Sequence, residues 1–358
     1  MPFDTIASKL APQDLSPPPG SRAVAIWLLV VAAMVWVMVA LGGATRLTGS
    51  GLSIMEWAPL MGSLPPLSQA EWNRLYDLYR AIPQYQLVNA GFGIEGFKQI
   101  FWLEWGHRFW GRLIGLAYLV PFLWFWARGA ISRAMLPRFL LLFALGGMQG
   151  AIGWFMVASG FEAGRTAVSP YRLVVHLSMA FLLFSAILWT ALSLLQPNPT
   201  ALPARAAVVR RQLQVAFGLA LATMLAGGFV AGIRAGFAYN TWPLMDGQLI
   251  PSGYLDLTPW WANLTSNIAA VQFNHRLLAS LAALAALGAV VAAWRHLPQG
   301  TARARVLLMG AAVLLQYGLG IITLLHVVPW SLGTLHQAVA VLVLTTGLVA
   351  LHALRTPR

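Results

Sequence analysis

Residues 104–127 read EWGHRFWGRLIGLAYLVPFLWFWA: an acid, a histidine and two arginines stand directly before an uncharged apolar run from Leu113 to Ala127. Runs of about 20 such residues are what a helix needs to cross ~30 Å of hydrocarbon at about 1.5 Å per residue. The chain has eight, at approximately 24–45, 107–127, 136–158, 173–195, 213–233, 274–294, 304–327 and 332–354. With 59% hydrophobic and 9% charged residues among 358, it is too apolar for a soluble domain of this length. The expected fold class is an all-α membrane protein of eight transmembrane helices.

A net charge of +13 raises the question of nucleic acid, but the basic residues form neither a long arm nor one amphipathic face. They sit at helix ends: Arg128, Arg133 and Arg138; Arg205, Arg210 and Arg211; Arg295, Arg303 and Arg305; then Arg355 and Arg358. The alternate connections are neutral or acidic, residues 46–104 holding four basic and five acidic side chains and residues 234–273 holding Arg234 against Asp246 and Asp256. An excess of arginine marks cytoplasmic loops, so both termini are expected in the cytoplasm and the two long loops outside. Residues 1–23, with Pro12, Pro17, Pro18 and Pro19, lack the apolar core of a cleavable signal and read as a disordered cytoplasmic lead. Without cysteine the outward loops carry no disulfide, and any cofactor needs ligands other than thiolate.

The two halves, 24–196 and 197–358, repeat four features in one order. ALGGATR (40–46) answers LAGGFVAGIR (225–234); EWAPLMGSLPP (56–66) answers NTWPLMDGQLIP (240–251); EWGHRFWGRLIGL (104–116) answers QFNHRLLASLAAL (272–284); MQGAIGW (148–154) answers LQYGLGI (315–321). Four helices per unit is an even number, so both units share one membrane orientation and form a parallel repeat of two four-helix bundles. The outward loop of the first half is longer, and its LSQAEWNRLYDLYRAIP segment, with Ser68 placed to cap and Glu71 three later, predicts a short surface helix.

Four of the seven histidines, His107, His176, His275 and His336, stand at the start of the even-numbered spans and so at one depth near the outer face. A lone histidine at a helix end is usually an interfacial polar residue. Four at repeat-equivalent positions point to ligation instead, because an ionisable side chain inside the membrane boundary is costly and has a partner. Two neutral imidazoles per half is the set that binds haem iron from opposite faces, which pairs His107 with His176 and His275 with His336. His296 and His352 are expected wet and unliganded, and His326, without a counterpart in the first half, is expected to be a non-ligand. Gly147, Gly150, Gly153, Gly318 and Gly320 suit close helix packing first and a flat macrocycle second. Gln149 and Gln316 are placed to hydrogen-bond across the bundle.

Glu104 lies three before His107, on one helix face with it, whereas Gln272 occupies that place before His275. Two readings stand: an acid that moves protons where chemistry happens, or a residue that caps the helix or pairs with Arg108. Arg108 and Arg276, directly after the histidines, are candidate propionate contacts or membrane-interface anchors. Trp102, Trp105, Trp110, Trp260 and Trp261 fit an aromatic belt.

GGATRLTGSGLSIMEWAPLMGSLPPL (42–67), YRAIPQYQLVNAGFGIEGFKQIFWLEWGHRFWGRLIG (79–115), GGMQGAIGW (146–154) and NTWPLMDGQLIP (240–251) are long and distinctive, and on them the chain resembles the haem A synthase family, of its cysteine-free alphaproteobacterial and mitochondrial type. The resemblance runs from about residue 24 to 354. It implies oxidation of the C8 methyl of haem O to the formyl of haem A through a hydroxymethyl stage, with His107 and His176 holding the substrate and His275 and His336 a permanent haem b. It implies a functional role for Glu104, and as surroundings a bacterial inner membrane, haem O synthase, an electron acceptor of unidentified kind, cytochrome oxidase assembly factors and a homo-oligomer as one option. Bis-imidazole ligation leaves no iron site for dioxygen. Either one histidine is displaced during turnover, or electrons are withdrawn and water attacks the methyl carbon while Glu104 manages protons. The rivals are a di-haem b-type electron-transfer subunit, which wants haems at different depths, and a transporter with histidine proton relays.

Overall fold

The computed structural model describes residues 20–58, 61–199 and 201–356. Of the expected disordered lead, residues 1–19 lie outside these, and the chain is already helical from Ser21; Arg358 also lies outside. Among the described residues eight helices are long and apolar enough to cross a bilayer: α1 (Ser21–Leu47), α2 (Ile94–Ala127), α3 (Leu136–Ala158), α4 (Pro170–Leu195), α5 (Ala206–Gly232), α6 (Ile268–His296), α7 (Thr301–Leu325) and α8 (Trp330–Ala353). No β-strand is present among the described residues.

The even-numbered helices begin earlier than their apolar runs. Ile94 opens α2 thirteen residues before His107, and Ile268 opens α6 seven before His275, so neither histidine starts its helix. Hydropathy marks the hydrocarbon, whereas a helix continues as long as its first turns are satisfied. In α6 the Asn267 side chain accepts from Ala270 N at 3.2 Å. In α2 the outer turns are held by packing, with Phe97, Ile100 and Phe101 buried under the first outward loop.

Within each half the helices form a ring of neighbours, α1–α2–α3–α4 and α5–α6–α7–α8, each closing from last to first. The halves meet through α4 against α5, α8 against α1, and α4 against α8. Their interiors differ. Between α5 and α6 the buried face is alanine-rich (Ala216, Ala220, Ala283, Ala286, Ala289, Ala293), which brings the two backbones together. The first half is spaced by aromatic rings instead: Trp27 sits 5.1 Å from Tyr118, 5.6 Å from Phe125 and 5.9 Å from Phe139, and donates to Ala117 O at 2.8 Å. α2 and α3 consequently touch only lightly, unlike α6 and α7.

Across the seam between halves, Trp36 Nε1 donates to Ala338 O at 2.8 Å and Gln337 Nε2 to Val39 O at 2.9 Å. His352 corrects an expectation. It is 1% exposed, edge-on to Trp189 at 5.0 Å, with Arg355 Nη1 2.9 Å from its Nδ1 and Ser193 Oγ 3.4 Å from its Nε2. It is a seam residue where α4 and α8 finish, not a wet one. His296 likewise has its Nδ1 buried, without a hydrogen-bond partner.

The predicted surface helix is present at Gln69–Arg80, and the Ser68 side chain accepts from Glu71 N at 3.2 Å. Leu75 and Tyr79 press it onto Phe97 and Phe101 of α2. Arg74 clamps both oxygens of Glu56 at 2.9 Å and pairs with Glu71 at 2.8 Å. Those hydrogen bonds hold the Glu56 and Glu71 carboxyls below the ordinary carboxylate range. A depressed folded value stabilises at neutral pH and is lost as pH falls through it. The side chains are 41–47% exposed, so the clamp contributes at most about 1 kcal/mol. Limited proteolysis of the 48–93 loop should therefore speed up modestly below about pH 4, and Arg74→Gln should show the faster cutting already at pH 7 without further acid dependence.

Candidate functional site

Each of the four histidine rings lies against a glycine of the preceding long helix. A Cβ at Gly42 of α1 would stand 3.3 Å from His107 Nε2; at Gly153 of α3, 2.9 Å from His176 Cε1; at Gly227 of α5, 3.0 Å from His275 Cε1; at Gly320 of α7, 3.0 Å from His336 Cε1. Any other residue would press on the ring. Gly153 and Gly320 thus serve histidines and not helix packing, while a Cβ at Gly147, Gly150 or Gly318 would meet open space. Gly42 and Gly227 were missed as site residues. The signal was there, since both are the first glycine of the GG pair that recurs in the two halves.

His107 and His176 stand on α2 and α4 of the first half, and His275 and His336 on α6 and α8 of the second. His275 Nδ1 lies 3.0 Å from Thr223 O, an acceptor only, so Nδ1 carries the proton and Nε2 keeps its lone pair. Gln149 Nε2 donates to His176 O at 3.1 Å and lies 3.2 Å from its Nδ1; Gln316 Nε2 donates to His336 O at 2.9 Å. The expected cross-bundle glutamine bonds therefore exist, and they end on the histidine-bearing turns.

These residues fit a tetrapyrrole. Gln149 Oε1, Gln316 Oε1 and His336 Nδ1 are buried without a hydrogen-bond partner, leaving desolvation uncompensated beside the rings. Among the described residues no three or more His, Cys, Asp or Glu converge to hold a bare metal ion. A pair of imidazoles suits an ion that brings its other ligands along, as porphyrin iron does.

Glu104 is 2% exposed and fully engaged. Its Oε2 accepts from Ser53 N at 2.6 Å, Ser53 Oγ at 2.8 Å and Ile54 N at 3.0 Å; its Oε1 accepts from Arg108 Nη2 at 2.6 Å and Nε at 3.0 Å. Arg108 continues to Ile54 O at 2.6 Å and Glu56 O at 2.9 Å. The second half uses the same design with opposite polarity. Gln272 Nε2 donates to Ala235 O at 2.7 Å and Ala238 O at 2.5 Å, and its Oε1 accepts from Arg276 Nη2 at 2.9 Å. Arg276 continues to Tyr239 O and Thr241 O. One loop turns N–H groups inward and the other carbonyls, which accounts for glutamate in the first place and glutamine in the second.

The sequence profile of the cytochrome oxidase assembly protein family matches residues 25–348. A protein of Granulibacter bethesdensis named heme A synthase is 59% identical over 332 residues, covering 93% of this chain and 87% of that one. The chain belongs to the haem A synthase family. Other family members with that name are 54% identical in Rhodospirillum centenum (339 residues; 94% of this chain, 89% of the relative) and 49% in Rhodopseudomonas palustris (345 residues; 95% and 93%). The family match takes in all four glycine-backed histidines, Glu104, Arg108 and Arg276. With its eight long apolar helices, this family member is a multi-pass membrane protein.

The remaining polar and aromatic residues divide. His326 is exposed, and its Nδ1 lies 2.9 Å from Ile322 O at the end of α7. Trp102, Trp260 and Trp261 face outward at 46%, 65% and 60% exposure, as a belt requires. Trp110 instead donates to Met34 O of α1 at 2.9 Å, and Trp105 stacks on Phe109 with centroids 4.9 Å apart.

Proposed function

We propose that this protein is a haem A synthase, an integral-membrane oxidoreductase that oxidises the C8 methyl of haem O to the formyl group of haem A through a hydroxymethyl stage. The observation that carries this reading is the doubled pair of glycine-backed imidazoles in a chain of this family. His107 and His176 are assigned to the substrate haem, and His275 and His336 to a resident haem b. Supporting that assignment, the first half has the loosely joined α2 and α3, the covering helix and the acid, whereas the second is closed by alanine packing. Haem b, when bound, supplies one-electron redox chemistry.

The chain's own residues hold and orient. Gln149 and Gln316 fix the turns carrying His176 and His336, and Thr223 O sets the His275 tautomer. Glu104 and Arg108 fasten the 53–56 loop over the first site, and Glu104 is the proton acceptor we favour for the route in which water attacks the methyl carbon. Arg276 Nε is buried without a partner and is free for a propionate, whereas the Nε of its first-half equivalent, Arg108, donates to Glu104. The arginine-rich loops and both termini are assigned to the cytoplasm of a bacterial inner membrane and the haem sites to the periplasmic side, with the two halves as a parallel repeat supported by the matching rings of helices. Haem O synthase, an electron acceptor, membrane lipid and cytochrome oxidase assembly factors are the expected partners.

Co-expression with haem O synthase, followed by extraction and chromatography of haems B, O and A, tests the reading. Haem A should appear with the wild-type chain and vanish with His107→Ala or His176→Ala while bound haem b persists. Two bound b-type haems and no haem A from the wild type would favour the di-haem electron-transfer reading.

A further inference from the structure

Where α1 and α5 end beside each other, a cavity of about 210 Å³ opens, lined by Thr48, Gln84, Asn89, Thr166 and Arg234, and a smaller recess of about 30 Å³ beside it adds Arg46. Among the described residues no acidic side chain lines either. Arg46 belongs to the first half and Arg234 to the second, and their charges repel one another. Arg46 Nη2 is fixed 3.1 Å from both Ala231 O and Gly232 O at the end of α5, which leaves its Nε buried and unpaired. Two guanidinium groups sharing this recess, with a buried N–H unspent, have the donor set of an oxyanion receptor.

Its position says which anion. Arg46 is one turn beyond Gly42, the residue against His107, and the carbonyls it holds are about one turn beyond Gly227, the residue against His275. Apart from Arg234, every lining residue comes from the first half. Arg108 and Arg276, meanwhile, give most of their donors to backbone carbonyls and to Glu104 or Gln272. We propose that Arg46 and Arg234 bind a carboxylate of the tetrapyrrole held by His107 and His176, so that the second half contributes a residue to the first half's substrate site. This rests on the functional reading above.

The test uses the full-length protein in nanodiscs with its second-half haem in place, titrated with iron protoporphyrin IX and with its dimethyl ester. Arg234→Gln should weaken binding of the free acid about tenfold and leave the ester unchanged, because the ester has no charge to lose. Arg234→Lys, which keeps the charge and loses the fork, should fall between wild type and Arg234→Gln and serves should the glutamine variant fail to fold. Equal losses for acid and ester would overturn the proposal while leaving the functional reading intact. Unchanged tetrapyrrole binding with weaker retention of phosphatidylglycerol would overturn it by giving the pocket to lipid phosphate. Failure of the wild type to take up any tetrapyrrole in its first half would overturn both.

Discussion

Exchange of Glu104 for glutamine is expected to cut formyl production at least about a hundredfold while the second-half haem stays bound. The geometry makes glutamine a poor stand-in despite its shape. Every group around Glu104 is a donor: Ser53 N, Ser53 Oγ, Ile54 N and two nitrogens of Arg108. An amide presents one acceptor and one donor, so its NH₂ would face N–H groups on one side. Alanine goes further and leaves the partly buried Arg108 charge without its acid, a change that costs about 3–5 kcal/mol in buried pairs. The reciprocal exchange, Gln272→Glu, sets a carboxylate against the carbonyls of Ala235 and Ala238 and should loosen the second site instead of creating a second reactive one. Haem extraction from the variants separates the roles. Normal haem A from Glu104→Gln would remove proton transfer from the account and leave Glu104 as a fastener of the loop; lost haem A with substrate haem still bound and the 48–93 loop cut by protease no faster than in wild type is the outcome a purely structural role does not produce.

Leucine at the glycine notches should divide the two sites cleanly. At Gly320 the first added carbon already meets His336 at 3.0 Å and at Gly153 it meets His176 at 2.9 Å, so the rest of a leucine must displace the ring. Overpacking of this kind costs about 1–3 kcal/mol, which weakens ligation roughly 5- to 150-fold. Gly320→Leu is expected to lose the second-half haem and with it all haem A. Gly153→Leu should retain haem b, measured by its pyridine haemochrome spectrum, and fail to retain haem O. Gly147→Leu is the control, because a side chain there meets open space. Equal behaviour of Gly147→Leu and Gly153→Leu would show that the notch does not matter.

The number of helices and the matching places of the four glycine-backed histidines were legible because both are written as repetition: apolar length eight times, and His-Arg or a histidine at matching places in two halves. Helix starts were not, since hydropathy falls silent where α2 leaves the hydrocarbon and is held by Phe97 and Phe101 under the loop. The difference between Glu104 and Gln272 was visible, but its reason was not, because it lies in which backbone groups two loops turn inward. Links between halves, such as Arg46 to Ala231 O and His352 to Ser193, join residues 185 and 159 apart and carry no local pattern at all.

The seam has a consequence for biogenesis. Of the eight long helices α1 leaves the ribosome before the others, and it finds the acceptor for Trp36 and the donor for Val39 on α8, which is made after the other seven. The opening segment, already held by α2 and α4, must therefore wait for these two bonds until α8 has been made, and a message truncated before residue 330 would deprive the early half of this brace even though that half is encoded intact.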